Sequence, residues 1–367
     1  MIKEKSFKII YNLLVITTLT IGLIPQNSFA CSRVLYTGDD GLLVMTGRST
    51  DWESNVNTNI WAFPRGIAKN GSVGKDPIKW TSKYGSIVST AHDMFTLDGM
   101  NEKGLVVNLL YLQETEYATP KKHDKRKPLL VSAWGQYFLD NFATVNEAVK
   151  AMKKEPFYVV PFKLESKSTR TSGLHLSMSD STGDSAIFEY IDGKLQIHHG
   201  KQYKVLTNSP AYPQQLAIND YWKNIGGTVF LPGTNKPSDR FVRGSFFTNV
   251  VEKTSDSKLG LAVVLSVVRN LSVPIGMSTP DIPNISATRW RSVSDQTNKK
   301  YYFESVFEEN GFWVDLKEMN FEKGQPIKKL TLTDGRYYFG ETSKDFEPVE
   351  LFSFIPDSNI LKIKPAN

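Results

Sequence analysis

Cysteine usage constrains this chain more than any other feature: its 367 residues contain one cysteine, Cys31. No internal disulfide is possible, so the fold has to be held by a buried core instead of cross-links. Cys31 also follows a segment ordered like an export signal. Lys3, Lys5 and Lys8 stand against Glu4 at its head, an apolar stretch runs from Ile9 to Ile24, and Pro25 breaks it before Ser28-Phe29-Ala30. Residues 1–30 are therefore expected to be a signal peptide, cleaved after Ala30. That would leave Cys31 first in an exported chain, periplasmic or secreted.

The apolar stretch falls short of the about 20 residues that a bilayer-spanning helix needs, and Asn12 interrupts it, so no stable membrane anchor is expected. Losing residues 1–30 removes three lysines and one glutamate, which lowers the formal net charge from +6 to +4. The one dense basic run, Lys121, Lys122, Lys125, Arg126 and Lys127, carries no interleaved aromatics on which bases could stack. Nucleic acid is not an expected partner.

No glycine- or proline-rich linker divides residues 31–367, which read as a single domain. The stretches Cys31 to Tyr36 and Leu42 to Arg48 flank a turn at Thr37-Gly38-Asp39-Asp40-Gly41. Further hairpins are expected around Asp98-Gly99-Met100-Asn101 and around Asp192-Gly193. Strands are also expected at Ala287 to Val293, Lys300 to Ser305 and Gly311 to Leu316. Helical patterning covers Leu129 to Asn141, Val145 to Lys154 behind a Thr144-to-Glu147 capping box, Phe241 to Val251 and Leu259 to Asn270. Runs of strands alternating with runs of helices predict an α+β layered fold.

A cysteine at a chain terminus carries a free α-amino group with an ordinary pKa of about 7.7 to 8.0. One residue then supplies both nucleophile and general base. The thiol's ordinary pKa of about 8.5 falls beside a cation, and Arg48 is the candidate cation. The hairpin brings Gly47-Arg48-Ser49-Thr50-Asp51-Trp52 back toward Cys31. Asp51 then suits the role of acceptor for the amine, and Trp52 that of a wall for an apolar acyl pocket. Spacing alone allows equally an ordinary Arg/Asp pair at a turn.

Four motifs in order carry a resemblance: Cys31 with Gly47 to Trp52; Asp98-Gly99-Met100-Asn101-Glu102-Lys103-Gly104-Leu105; Leu206-Thr207-Asn208-Ser209-Pro210; and Arg240-Phe241-Val242-Arg243. Together they resemble the choloylglycine hydrolase family, which includes penicillin V acylases and bile salt hydrolases. The resemblance implies one N-terminal nucleophile hydrolase domain, an αββα four-layer sandwich that cuts linear carbon–nitrogen amide bonds. It implies Cys31 as nucleophile and base, with Arg48 and Asp51 positioning sulfur and amine. The side-chain amide of Asn208 and the backbone N–H of Tyr111 would bind the oxyanion. Arg240 would be the distal active-site arginine, with Arg243 one helical turn away as the alternative. The expected partner is a small N-acyl amide, and the resemblance also leaves room for a homotetramer.

His92, His123, His175, His198 and His199 sit in contexts poorly suited to a Cys/His protease, and no metal-ligand spacing or cofactor motif is present. Neither cofactor nor metal is expected. Within the family, Tyr111 matches penicillin acylases where bile salt hydrolases tend to carry asparagine. The segment Pro232-Gly233-Thr234-Asn235-Lys236 departs from the bile salt hydrolase pattern. Together with export, these features favour the Gram-negative penicillin V acylase-like branch. They point to an apolar acyl group, as in penicillin V or long-chain N-acyl-homoserine lactones. Two alternatives stay open: a bile salt hydrolase, and a lipoprotein in which acylated Cys31 only tethers a binding module.

Overall fold

The computed structural model describes residues 31–162, 172–226, 229–278 and 286–354; the expected signal peptide, residues 1–30, lies outside them. Ser32–Thr37 (β1) and Val44–Trp52 (β2) form the anticipated hairpin, with Ser32 opposite Ser49 and Arg33 opposite Arg48. Both strands are buried almost throughout, although β1 carries Ser32 and Arg33 and β2 turns polar from Thr46 to Asp51. They lie in a seven-stranded sheet ordered β14 (Val205–Leu206), β1, β2, β15 (Ala287–Asp295), β16 (Lys300–Ser305), β17 (Phe312–Asp315) and β19 (Gly340–Glu341).

A nine-stranded sheet faces it, ordered β13 (Lys194–His199), β12 (Ser185–Ile191), β11 (Leu174–Ser179), β8 (Val106–Tyr111), β7 (Phe95–Asn101), β6 (Ser86–Ala91), β3 (Ile60–Phe63), β18 (Lys328–Leu330) and β20 (Glu347–Pro348). Two small ribbons complete the strands: β4 (Ala68–Asn70) with β5 (Lys79–Thr81), and β9 (Lys127–Leu130) with β10 (Phe157–Val160).

Helices cover both outer faces. Helices α4 (Pro237–Val250) and α5 (Ser257–Asn270) pack on the first sheet, while α1 (Trp134–Asn141) and α2 (Val145–Met152) pack on the second. A further helix, α3 (Tyr212–Ile225), packs on α4. The order is helix, sheet, sheet, helix, the αββα sandwich that the resemblance implies.

Two glycines set the spacing of these layers. A Cβ on Gly47 would come within 2.6 Å of Val264 and Val268 of α5, and one on Gly99 within 2.7 Å of Val88 and 3.1 Å of Leu139 of α1. Bare backbone at these positions lets each helix sit close on its sheet. Apolar clusters fill both helix–sheet layers. The layer between the sheets is apolar only in part, around Ile60, Met100, Trp290 and Phe303. The rest is polar and paired across the gap, as in Thr46 with Ser179 at 2.7 Å and Ser292 with Asp98 at 2.5 Å.

Several expectations need correction. Asp98 to Asn101 is not a turn but the end of β7, a strand that pairs with both β6 and β8; the turn comes after Asn101. Of Leu129 to Asn141, only Trp134–Asn141 is α-helical, because Leu129 and Leu130 pair with Val159 and Val160 in the parallel ribbon. Helix α4 begins earlier than expected, at Pro237, where a proline at the first position costs no hydrogen bond. Helix α3 had no counterpart among the predicted elements. The capping box holds: Thr144 accepts from the Glu147 amide at 3.2 Å, and Glu147 reaches back to the Ala143 amide at 2.8 Å.

Candidate active site

Strand register gathers the predicted residues at one end of the seven-stranded sheet. Arg33 opposite Leu206 sets Cys31 across from Asn208, just beyond the end of β14, while Ser32 opposite Ser49 sets it across from Thr50. Arg48, Thr50 and Trp52 share one face of β2 because side chains alternate along a strand. Tyr111 ends β8 of the facing sheet, opposite Leu174. Arg240 rises from α4, which covers β1 and β14.

The Cys31 nitrogen, here the amide of the peptide bond from Ala30, donates to Asn208 Oδ1 at 2.6 Å. It stands in for the α-amino group of a chain that begins at Cys31. The Asn208 side-chain amide donates in turn to the carbonyl of Tyr111 at 2.8 Å. Arg240 ties the cluster together: Nη1 donates to Cys31 O at 2.7 Å and Ser32 Oγ at 2.5 Å, and Nη2 to Asn208 Oδ1 at 3.1 Å. Arg243 instead donates to the carbonyls of Pro232 and Thr234, each at 2.8 Å. Of the two arginines it is Arg240 that meets Cys31, and Arg243 pins the neighbouring loop.

Asp51 departs from the expected contact. Its carboxylate accepts from Thr288 Oγ1 at 2.6 Å and from Ser49 Oγ at 3.5 Å, with Arg240 Nη1 4.0 Å away. Its main-chain carbonyl accepts from the Cys31 thiol at 3.7 Å. With residue 30 attached, the Cys31 nitrogen has a single hydrogen and gives it to Asn208. Burial raises the Asp51 carboxyl from 3.8 to about 6, against the pull of Arg240 and of the hydroxyls of Thr288 and Ser49.

Burial likewise pushes the Cys31 thiol up from its ordinary value, although Arg48, the Asp51 carbonyl and Arg240 pull it down. A thiol in this setting needs a base to take its proton. Arg48 spends Nη1 on Leu97 O and Nη2 on Leu109 O, the latter at 2.6 Å, and its guanidinium lies 5.4 Å from the Trp290 ring. Its Nε is buried with no partner among the described residues, as is the hydroxyl of Thr50.

Both residues line the same cavity as Cys31, a space of about 160 Å³ walled chiefly by Trp52, Val56, Phe95, Leu97, Tyr111 and Phe162. The walls are mostly apolar, with Arg48, Thr50, His92 and Ser172 as the polar residues lining it beside Cys31. His92, exposed and hydrogen-bonded to Asn57 at 3.2 Å, also lines it. His175 is buried elsewhere, between Glu189 and the carbonyl of Thr207 at 2.8 Å each. No group of His, Cys, Asp or Glu among the described residues has the arrangement of a metal site.

Reading the chain alone missed Thr288 and Gln215. Thr288 faces Asp51 across β15 and β2. Gln215 Nε2 donates to the carbonyls of Asn208 and, at 2.6 Å, Pro210. The signal for Gln215 lay in its helix: a buried amide one turn past a Pro-bearing N-terminus has to find carbonyl partners.

Comparison with known proteins places the chain in a family. The family described as "Linear amide C-N hydrolases, choloylglycine hydrolase family" matches residues 31–329. A penicillin V acylase of Pectobacterium atrosepticum is 46% identical over 360 residues, covering 92% of this chain and 95% of its own. A bile salt hydrolase/transferase of Clostridium perfringens is 26% identical over 325 residues, covering 81% of this chain and 95% of its own. The solved structure of a penicillin V acylase from Agrobacterium tumefaciens superposes with a TM-score of 0.81 at 49% identity, covering 89% of this chain and 99% of that one. The conjugated bile acid hydrolase of Clostridium perfringens, at 22% identity and a TM-score of 0.68, shares the fold. With the sandwich and a match over most of the chain in agreement, this chain belongs to the choloylglycine hydrolase family of linear-amide carbon–nitrogen hydrolases.

Proposed function

We propose that the chain is exported, loses residues 1–30, and hydrolyses N-acyl amides with an apolar acyl group, using Cys31 as nucleophile and its own α-amino group as base. One observation carries this reading: the sole cysteine lines a mostly apolar cavity, with its nitrogen bonded to Asn208 and its sulfur to the Asp51 carbonyl. The relatives named penicillin V acylase support penicillin V as a substrate, and long-chain N-acyl-homoserine lactones offer the same kind of acyl group.

The steps balance within the site. The sulfur attacks the acyl carbon while its proton passes to the α-amine, and the carbonyl oxygen becomes an oxyanion. Asn208 Nδ2 and the Tyr111 N–H receive that charge, a role typically worth roughly 3 to 4 kcal/mol per donor. The intermediate collapses, the leaving amine departs with the proton, and a thioester remains. Water then adds, its proton again taken by the α-amine, and the acid and the free thiol are regenerated.

Intact mass and N-terminal sequencing of exported protein, combined with amine release from a panel of amides, test the reading. The expected results are an unmodified Cys31 at the terminus and turnover that Cys31→Ser abolishes in a folded protein. A diacylglyceryl adduct on Cys31 would support the tethered lipoprotein instead. A Cys31→Ser variant that kept more than about a tenth of the rate would end the covalent mechanism. Glycocholate as the preferred substrate would move the chain to the bile salt hydrolase reading.

A further inference from the structure

Arg48 crosses from one sheet to the other. It stands on β2, and its two terminal nitrogens donate to the carbonyls of Leu97 in β7 and Leu109 in β8. The neighbours of those leucines, Asp98 and Asn108, are cross-strand partners, and Asn108 Nδ2 donates to Asp98 Oδ1 at 2.5 Å. Asp98 then reaches the opposite way. Its Oδ2 accepts from Ser292 Oγ at 2.5 Å and from Tyr301 Oη at 2.6 Å, both on the seven-stranded sheet. Ser292 is the cross-strand partner of Arg48 itself.

We propose that Asp98 is a positioning residue for Arg48. The proposal rests on the reading of Cys31 as nucleophile and Arg48 as the cation beside it. Asp98 and Arg48 form a reciprocal brace: each reaches across the gap from its own sheet, and each fixes the strand segment that the other grips. A carboxylate accepting three short hydrogen bonds from three different strands has little rotamer freedom. It locks β7 and β8 in register with β2, and so sets where the Leu97 and Leu109 carbonyls hold the guanidinium. Tyr301 serves as a donor because burial, with Asp98 beside it, pushes its phenol well above its ordinary value. Asparagine at position 98 would keep one acceptor oxygen but turn the other end into a donor, so the Ser292 and Tyr301 hydroxyls would have to reverse and accept.

The charged side chains that act on the Cys31 sulfur are Arg48, Asp51 and Arg240, and in mature protein the α-amino group of Cys31 joins them, alike in every variant compared. Removing Asp98 therefore has two separable effects. Loss of a buried negative charge by itself eases ionisation of the thiol, whereas displacement of Arg48 hinders it. The test is the pH dependence of iodoacetamide alkylation of mature protein, in which Cys31 is the sole cysteine. Wild type is compared with Asp98→Asn, Tyr301→Phe and a control, Thr46→Val, which removes another buried contact between the sheets two residues before Arg48.

For Asp98→Asn the alkylation midpoint is expected to rise by about half a pH unit or more, and for Tyr301→Phe by less in the same direction. Thr46→Val should lose thermal stability without a shift. An unchanged or lower midpoint in Asp98→Asn, or an equal rise in Thr46→Val, overturns the proposal. Should Asp98→Asn not fold, the Tyr301→Phe profile decides alone. The alkylation profile does not depend on turnover, so failure of the nucleophile reading would appear in Cys31→Ser activity and not here.

Discussion

Cys31 and Asn208, 177 residues apart, meet through a 2.6 Å hydrogen bond from the Cys31 nitrogen to Asn208 Oδ1. The same oxygen accepts from Arg240 at 3.1 Å, and the other end of the same side chain donates to the Tyr111 carbonyl at 2.8 Å. One amide group thus orients the Cys31 nitrogen with its oxygen and holds a donor beside Tyr111 with its nitrogen.

Asn208→Asp separates these two duties. The aspartate keeps both acceptor contacts but sets a carboxylate oxygen against the Tyr111 carbonyl in place of the donor, so kcat should fall about 100- to 1,000-fold with KM little changed and some loss of thermal stability. Steady-state kinetics check this. A variant with near wild-type kcat would remove Asn208 from the oxyanion role.

Gln215→Leu should act one step behind Asn208. It strands the Asn208 and Pro210 carbonyls, each at a cost of about 1 to 3 kcal/mol when buried. A lower Tm and a kcat reduced about tenfold or more, with KM nearly kept, are the expected outcome. If Tm fell with kcat untouched, Gln215 would be purely structural.

Asp51 gives the chain a pH signature. Its carboxyl is raised to about 6 in the fold, so between about 3.8 and 6 the folded state holds a proton that the unfolded chain has released. The linked stability is present at the acid end of that window and is lost as pH rises through it. The loss approaches about 3 kcal/mol for a shift of roughly two units. The unfolding free energy of wild type minus that of Asp51→Asn, measured in urea in the form retaining residue 30, should therefore decline from about pH 4 to pH 6 and level off above. In mature protein the new α-ammonium draws the Asp51 carboxyl back down, so the decline should shrink. An identical decline in both forms would separate the amine from Asp51.

The cavity predicts a chain-length series. With walls such as Trp52, Phe95 and Leu97, each buried methylene is worth about 0.8 kcal/mol, so kcat/KM should rise roughly fourfold per acyl carbon until the space is full. Trp52→Ala should flatten that slope while Cys31 stays reactive to small thiol reagents. Penicillin V should be cleaved with a higher kcat/KM than glycocholate, whose rigid acyl group fits such a slot poorly. A flat series in wild type would discard this reading of the pocket.

Much of this was legible in the chain itself. Local signals wrote the first hairpin, the Thr144 cap, the three strands between Ala287 and Leu316 and the helix ending at Asn270, because turn residues and apolar period act over a few positions. The motifs also named Cys31, Arg48, Asp51, Asn208 and Arg240, and register then carried Arg48 and Asp51 to Cys31. Only the tertiary structure decided the rest. Asp98 to Asn101 looks like a turn by composition, yet it is a strand because β6 and β8 flank it and α1 needs the bare backbone of Gly99. Arg240 and Arg243 share one helix and are alike in composition; only the packing of α4 against β1 and β14 gives the first to Cys31 and the second to a loop. The partners Thr288 and Asp98 were unreadable for the same reason. Each acts through a hydrogen bond whose other end lies on a different strand or turn, and such pairings exist only once the sheets have stacked.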